Sequence, residues 1–256
     1  GYRYKLYIDV KDEHLKRMLW LIAPVLIGVA VNQINTIVDR TIASTLVEGS
    51  ISALNYATKL NQFVMGMFIV SISSVVYPML SKLSTENNKE KFNKSIITSV
   101  NTVTLLVIPI SIGAIILANP IVKLLFQRGE FDARATQMTA VALIFYSIGM
   151  IGYGLRDILG KVFYSLQDTR TPRINGVIAM VLNITRNILF VKYTNMQLAG
   201  LAFATSISAL FTIALLFISL RRKIGSFGGK SIALGMIKSL ISGIIMAVVT
   251  LFAYNT

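Results

Sequence analysis

The apolar positions of this sequence gather into long unbroken runs, not the alternation or one-sided stripe of a soluble fold. Runs of about 20 or more apolar residues, enough for a helix to cross a bilayer, predict seven helices over residues 18–46, 51–82, 94–118, 135–164, 173–192, 196–220 and 232–254. Seven crossings put the two ends on opposite sides. The first two runs exceed what a core of about 30 Å requires at about 1.5 Å per residue, so those helices tilt or project. Pro24, Pro78 and Pro109 fall within or near the ends of runs and mark candidate kinks. The fifth and sixth runs join through a hairpin the size of "TNM". Between the third and fourth lies "NPIVKLLFQRGEFDARAT", Asn119 to Thr136, whose short amphipathic pattern predicts a helix lying in the interface.

Polar residues interrupt the runs in helical register. Asn32, Asn35 or Thr36, and Asp39 share a face of the first run; Asn55, Lys59, Gln62 and Gly66 share one of the second. Tyr146, Gly149, Tyr153, Arg156 and Gly160 form a third stripe. The turn "VEGS" joins the first two runs, and counting outward from it places Asp39 and Lys59 at the same depth. A charge at mid-bilayer costs about 2.5–3.5 kcal/mol even on an insertion scale, so these faces need water, each other or a substrate. Asn183 and Asn187, four apart on the fifth run, and Thr205 on the returning helix lie at a depth like that of Asp39. One carboxylate with amide and hydroxyl oxygens suits a small hard cation, which makes Asp39, Asn183, Asn187 and Thr205 a candidate sodium site. The same groups also fit interhelical hydrogen bonding, with Asp39 balanced by Arg40, Lys59 or Arg186. Arg40 lies about 100° round the helix from Asp39, off its face, and the sequence assigns no role to Arg40 or Arg186.

Composition agrees with the runs: 54% hydrophobic residues, 14% charged and a mean hydropathy of +0.68 describe an all-α integral membrane bundle. Without cysteine and with His14 as the one histidine, the chain lacks the ligands for disulfide, thiolate or ordinary zinc chemistry. A net charge of +14 would suggest nucleic acid in a soluble protein. Here 16 of the 25 Lys and Arg residues fall in segments on one side and four on the other. The positive-inside rule therefore makes the N-terminal side cytoplasmic and explains the basicity without nucleic acid, with membrane lipids as the partner. Arg40, Lys59, Arg156, Arg186 and Lys238 remain within the runs.

Six segments in order, "VNQINTIVDRTIAS", "SALNYATKLNQFVMGMF", "YPMLSKL", "LFQRGEF", "FYSLQDTRTPRI" and "AGLAFATSIS", resemble the lipid II flippase family (MurJ, also called MviN) of the multidrug/oligosaccharidyl-lipid/polysaccharide exporter superfamily. The most specific is "FYSLQDTRTP", Phe163 to Pro172. The resemblance implies one lobe of a two-lobed exporter: a bundle of about seven membrane helices, helices seven to thirteen of fourteen. It divides the chain into a cytoplasmic N-terminal segment 1–17, six helices of a C-terminal lobe over 18–222, and a loop plus an additional helix over 223–256. The first residues, "GYRYK", with no initiator Met, fit a piece of a longer chain whose N-terminal lobe is the missing partner. The implied activity is transport, not enzymatic catalysis: movement of undecaprenyl-pyrophosphate-linked peptidoglycan precursor, lipid II, across the bacterial inner membrane by alternating access. Lys59 stands where the family commonly places a cavity arginine. Lysine keeps the charge but lacks the planar fork. Lys59, Asn55, Gln62 and Arg156 are thus the expected substrate-binding residues, and Asp39, Asn183, Asn187 and Thr205 match a sodium site of some members. No other cofactor is implied.

Alternatives stay open at this stage. A related exporter of other lipid-linked polysaccharides or cationic drugs would share the fold, and a non-transporting membrane scaffold would share the composition. A membrane transferase would need paired acids, for which Glu130 and Asp132 are the nearest candidates. In "FYSLQDTRTP", Asp168 caps the following helix if the segment is a tight turn, and meets headgroup or partner lobe if it is a gate.

Overall fold

The computed structural model describes residues 13, 33, 34, 36–86, 88–194 and 196–255. Residues 1–12, His14, Pro24, Asn32 and Asn35 lie outside the described residues, as does most of the first predicted run. The rest is helical apart from short links: α1 over 36–44, α2 Ser50–Thr85, α3 Lys89–Ile116, α4 Ala118–Phe126, α5 Ala133–Ser165, α6 Arg170–Tyr193, α7 Gln197–Ile224 and α8 Gly229–Asn255. Among them α2, α3, α5, α6, α7 and α8 are long and apolar enough to cross a membrane. Their ends fall within five residues of the apolar runs, because in hydrocarbon a helix must continue until water can take over its backbone groups. The chain is a multi-pass membrane protein.

Ordinary signals set the helix ends. Asn88 accepts from the backbone N–H of Lys91 at 3.1 Å to open α3, and Asp132 from that of Ala135 at 2.7 Å to open α5. Gly49, at φ 89°, turns the chain between α1 and α2. The predicted amphipathic helix is α4, which buries Ala118 and Val122 and leaves Leu124 85% exposed beside Lys123. The proposed division at 222/223 falls in the last turn of α7, while the link to α8 is residues 225–228.

The helices run through Pro78 and Pro109. Interruptions come elsewhere: a π-helical turn at Met65–Ile69 within α2, and a break of α5 at Gly149. The break follows from packing. A Cβ on Gly149 would stand 2.6 Å from the Ser206 Cα of α7, and one on Gly152 would stand 2.8 Å from the Ala209 carbonyl carbon. Ser206 Oγ donates to the Phe145 carbonyl at 2.6 Å, covering an acceptor left over at the break. We expect Gly149→Val to lower stability by about 1–3 kcal/mol through overpacking, read as a lower melting temperature in detergent. Gly160→Ala, where nothing lies within 4 Å of the new Cβ, should melt like the unaltered protein.

The core has two tiers. Toward the α2–α3 link it is built of large side chains, among them Leu80, Ile96, Leu159, Phe163 and Leu220. Toward the α1–α2 turn it is rich in alanine, with Ala43, Ala53, Ala57, Ala140 and Ala202. Small residues let membrane helices approach closely. In this second tier α1, α2, α5 and α7 converge, and there the polar faces meet.

Candidate functional site

A cavity of about 720 Å³ opens between α1, α2, α5 and α7. Asp39 and Thr36 line it from α1, Asn55, Lys59 and Gln62 from α2, and Thr205 from α7. Tyr146 and Tyr153 of the third stripe complete a wall from α5. Arg156, although on the same side of the Gly149 break as Tyr153, does not join them: it is exposed and outside the lining. Its neighbour Asp157 accepts a hydrogen bond from Ser73 Oγ across the α2–α5 seam.

A continuous hydrogen-bonded run joins the lining residues Asp39 and Thr205 through two asparagines behind the wall. Asn187 Nδ2 donates to Asp39 Oδ1 at 2.5 Å and to Asn183 Oδ1 at 3.0 Å, and Asn183 Nδ2 donates to Thr205 Oγ1 at 3.3 Å. Asn187 is fully buried and Asn183 3% exposed. All four residues with sodium-site chemistry are therefore joined, although they come from three helices. Asn187 Oδ1 is buried without a hydrogen-bond partner, which costs about 1–3 kcal/mol. The oxygens of this run are hard, and one carboxylate is the only formal charge among them, so the set fits a small monovalent cation. Among the described residues no cluster of three or more His, Asp or Glu offers a site of the multi-carboxylate or imidazole kind.

Lys59 points into the cavity with its ammonium 5.5 Å from the ring centre of Tyr56. That ring is fixed by Phe126 at 4.8 Å and Phe131 at 5.1 Å, so the link between α4 and α5 buttresses the cation. The common depth expected for Asp39 and Lys59 needs correction. Helix α1 ends at residue 44 and α2 begins at Ser50, which puts Asp39 five residues and Lys59 nine residues from the turn, a stagger of about 6 Å. Arg40 needs a second correction: it lines the same cavity as Asp39, because the opening is wide enough to take two adjacent positions of α1. Arg186 turns to α7, donating to Ser208 Oγ at 3.4 Å and lying 5.7 Å from the Phe211 ring centre. Sequence reasoning also passed over Asn61, a neighbour of the polar stripe, which is buried and donates to the Tyr146 carbonyl at 3.3 Å.

At the far end of α5 the segment "SLQDTRT" is a tight turn. Asp168 Oδ1 accepts from the backbone N–H groups of Arg170 and Thr171, and its Oδ2 accepts from Thr171 Oγ1 and from Lys223 Nζ at 2.5 Å. Burial pushes the Asp168 carboxyl up, but the hydrogen bonds from Lys223 and Thr171 outweigh it and hold the group down at about 2. A depressed carboxylate contributes its stability above its ordinary value near 4 and loses it as pH falls through about 2. The tie between this turn and the end of α7 is thus intact at any physiological pH.

A protein-family model described as "Lipid II flippase MurJ" matches residues 1–256. The probable lipid II flippase MurJ of Vibrio cholerae is 38% identical over 207 residues, covering 81% of this chain and 39% of that protein. Its counterpart in Haemophilus influenzae is 35% identical over 243 residues, 92% of this chain and 47% of that one. Among solved structures, lipid II flippase MurJ in an inward closed conformation superposes with a TM-score of 0.79 at 32% identity, over 94% of this chain and 50% of that chain. A multidrug resistance MATE family transporter of the MOP superfamily, in an outward-facing conformation, shares the fold at 16% identity and a TM-score of 0.67, over 90% of this chain and 53% of that chain. The chain spans about half or less of the length of these relatives.

Proposed function

This chain belongs to the lipid II flippase MurJ family, and we propose that it forms the C-terminal lobe of a flippase that carries lipid II to the periplasmic leaflet by alternating access. The carrying observation is the cavity lined by Lys59, Asp39 and Thr205, the last two joined through the buried Asn187 and Asn183. The six-helix lobe, the added helix α8, the cytoplasmic side of the N-terminal segment and the N-terminal lobe as partner belong to the same proposal. Coverage of half or less of each MurJ relative supports it, as does the excess of Lys and Arg on one side.

In this reading Lys59 binds pyrophosphate through a charge-assisted contact, with Asn55 and Gln62 as hydrogen-bonding neighbours. Arg156, set apart from the cavity, meets the headgroup or the partner lobe nearer the cytoplasmic end. Asp39, Asn183, Asn187 and Thr205 would hold a sodium ion, which supplies a positive charge that draws α1, α6 and α7 together. Asp39 keeps α1 docked on α6 through Asn187 and thereby links charge in the run to closure of the lobe. The test is complementation of a flippase-depleted bacterium by the full-length gene with protein levels checked. Growth is expected. No rescue at normal expression would assign the cavity to a sister exporter of another lipid-linked polysaccharide or of cationic drugs.

A further inference from the structure

We propose that Arg40 and Lys59 form a two-cation clamp for the pyrophosphate of the lipid-linked substrate, with Arg40 supplying the planar guanidinium that Lys59 lacks. The inference rests on the function proposed above and specifies how the headgroup is held within it. Both side chains are exposed and both line the same cavity, from the two arms of the α1–α2 hairpin. Arg40 stands four residues from the end of α1 and Lys59 nine from the start of α2, so their backbone positions are staggered by about 8 Å along the helices. Side chains of this length can close on one elongated anion from above and below.

The charges around them are otherwise committed. Among the described residues the salt bridges are Lys82 with Glu86 and Lys223 with Asp168, and neither involves Arg40 or Lys59. The ring of Tyr56 takes the Lys59 ammonium through its face and leaves N–H donors to spare. Asp39, next to Arg40 in sequence, has Oδ1 engaged by Asn187 on the α6 side. Among the described residues the cavity therefore presents two cations and one carboxylate that is already held. A pyrophosphate joined at both ends carries two negative charges, which two cations neutralise. Lysine contributes a point charge; arginine contributes a fork that grips two oxygens of one phosphate. The pair reads both phosphorus centres, where a single cation would read one.

The experiment uses full-length protein in detergent and measures binding of farnesyl pyrophosphate and farnesyl monophosphate to the unaltered protein and to Arg40→Gln, Arg40→Lys, Lys59→Arg and the exchange variant Arg40→Lys/Lys59→Arg. Arg40→Gln should weaken pyrophosphate binding about 10-fold or more and monophosphate binding less than about 3-fold. Arg40→Lys should lose about 5-fold of the pyrophosphate preference, and the exchange variant should recover it to within about 2-fold, since the fork then comes from the other arm. An unchanged preference in Arg40→Gln would overturn the clamp and leave Arg40 reaching to lipid headgroups. Failure of the exchange variant to recover would overturn the fork argument. A variant that merely misfolds would lose both ligands alike, in which case the charge-conserving Arg40→Lys decides. If the unaltered protein bound neither probe, the proposed function would fall together with the clamp; binding of both with no effect at Arg40 would remove the clamp alone.

Discussion

In the full-length flippase proposed above, Asp39→Asn should reduce lipid II transport by about 10- to 100-fold while leaving membrane insertion and protein level unchanged. The substitution is nearly isosteric and keeps an oxygen that can accept from Asn187 Nδ2, now 2.5 Å from Asp39 Oδ1. A role confined to helix packing would survive it. What it removes is the charge, and a hydrogen bond to a charged group is worth about 1.5–3 kcal/mol. The partner is confined: Asn187 is fully buried and its Nδ2 is already shared with Asn183. If the run holds sodium, the same variant should also flatten the dependence of transport on sodium concentration, whereas Asn187→Leu should unseat α1 and lower both transport and melting temperature. Transport by Asp39→Asn at the unaltered rate, with unaltered sodium dependence, would remove Asp39 from the mechanism.

The constellation behind that expectation was legible because a hairpin fixes depth. Asn187 and Thr205 stand at comparable distances from the short α6–α7 link, and Asn183 lies one turn from Asn187, so their meeting needed only helical geometry. The spans were legible for a stronger reason, since a bilayer dictates their length. Helix rotation was not legible. Arg40 was placed off the Asp39 face by a step of about 100°, but facing a cavity is a looser condition than touching a neighbour, and α1 presents both residues to it. Arg156 was grouped with Tyr146 and Tyr153 by spacing alone. The break at Gly149, which precedes both Tyr153 and Arg156, arises where α5 meets Ser206 of α7, a contact that no pattern within α5 reveals. The depth of Lys59 is misjudged by a count outward from "VEGS", residues 47–50, because the non-helical link is residues 45–49 and its centre lies closer to Asp39 than to Lys59.

Lys59→Ala should likewise cost about 10- to 100-fold in transport, the equivalent of about 1.5–3 kcal/mol for a charged contact to phosphate, and Lys59→Arg should keep at least the unaltered rate. The two outcomes follow from the surroundings of the side chain. Its stem rises from α2 beside Tyr56, whose ring is pinned by Phe126 and Phe131, so the aromatic group stays in place whichever cation lies over it. An arginine there can stack on the same ring and add a fork for phosphate. Alanine leaves the ring and empties the charge, and Arg40 alone then faces the substrate. Loss should appear as weakened headgroup binding at unchanged protein level, and Lys59→Gln, which retains length and hydrogen bonding, should resemble alanine more than arginine. Full transport by Lys59→Gln would show that the position needs only a polar side chain, and the cavity would then have to be reassigned to a substrate without phosphate.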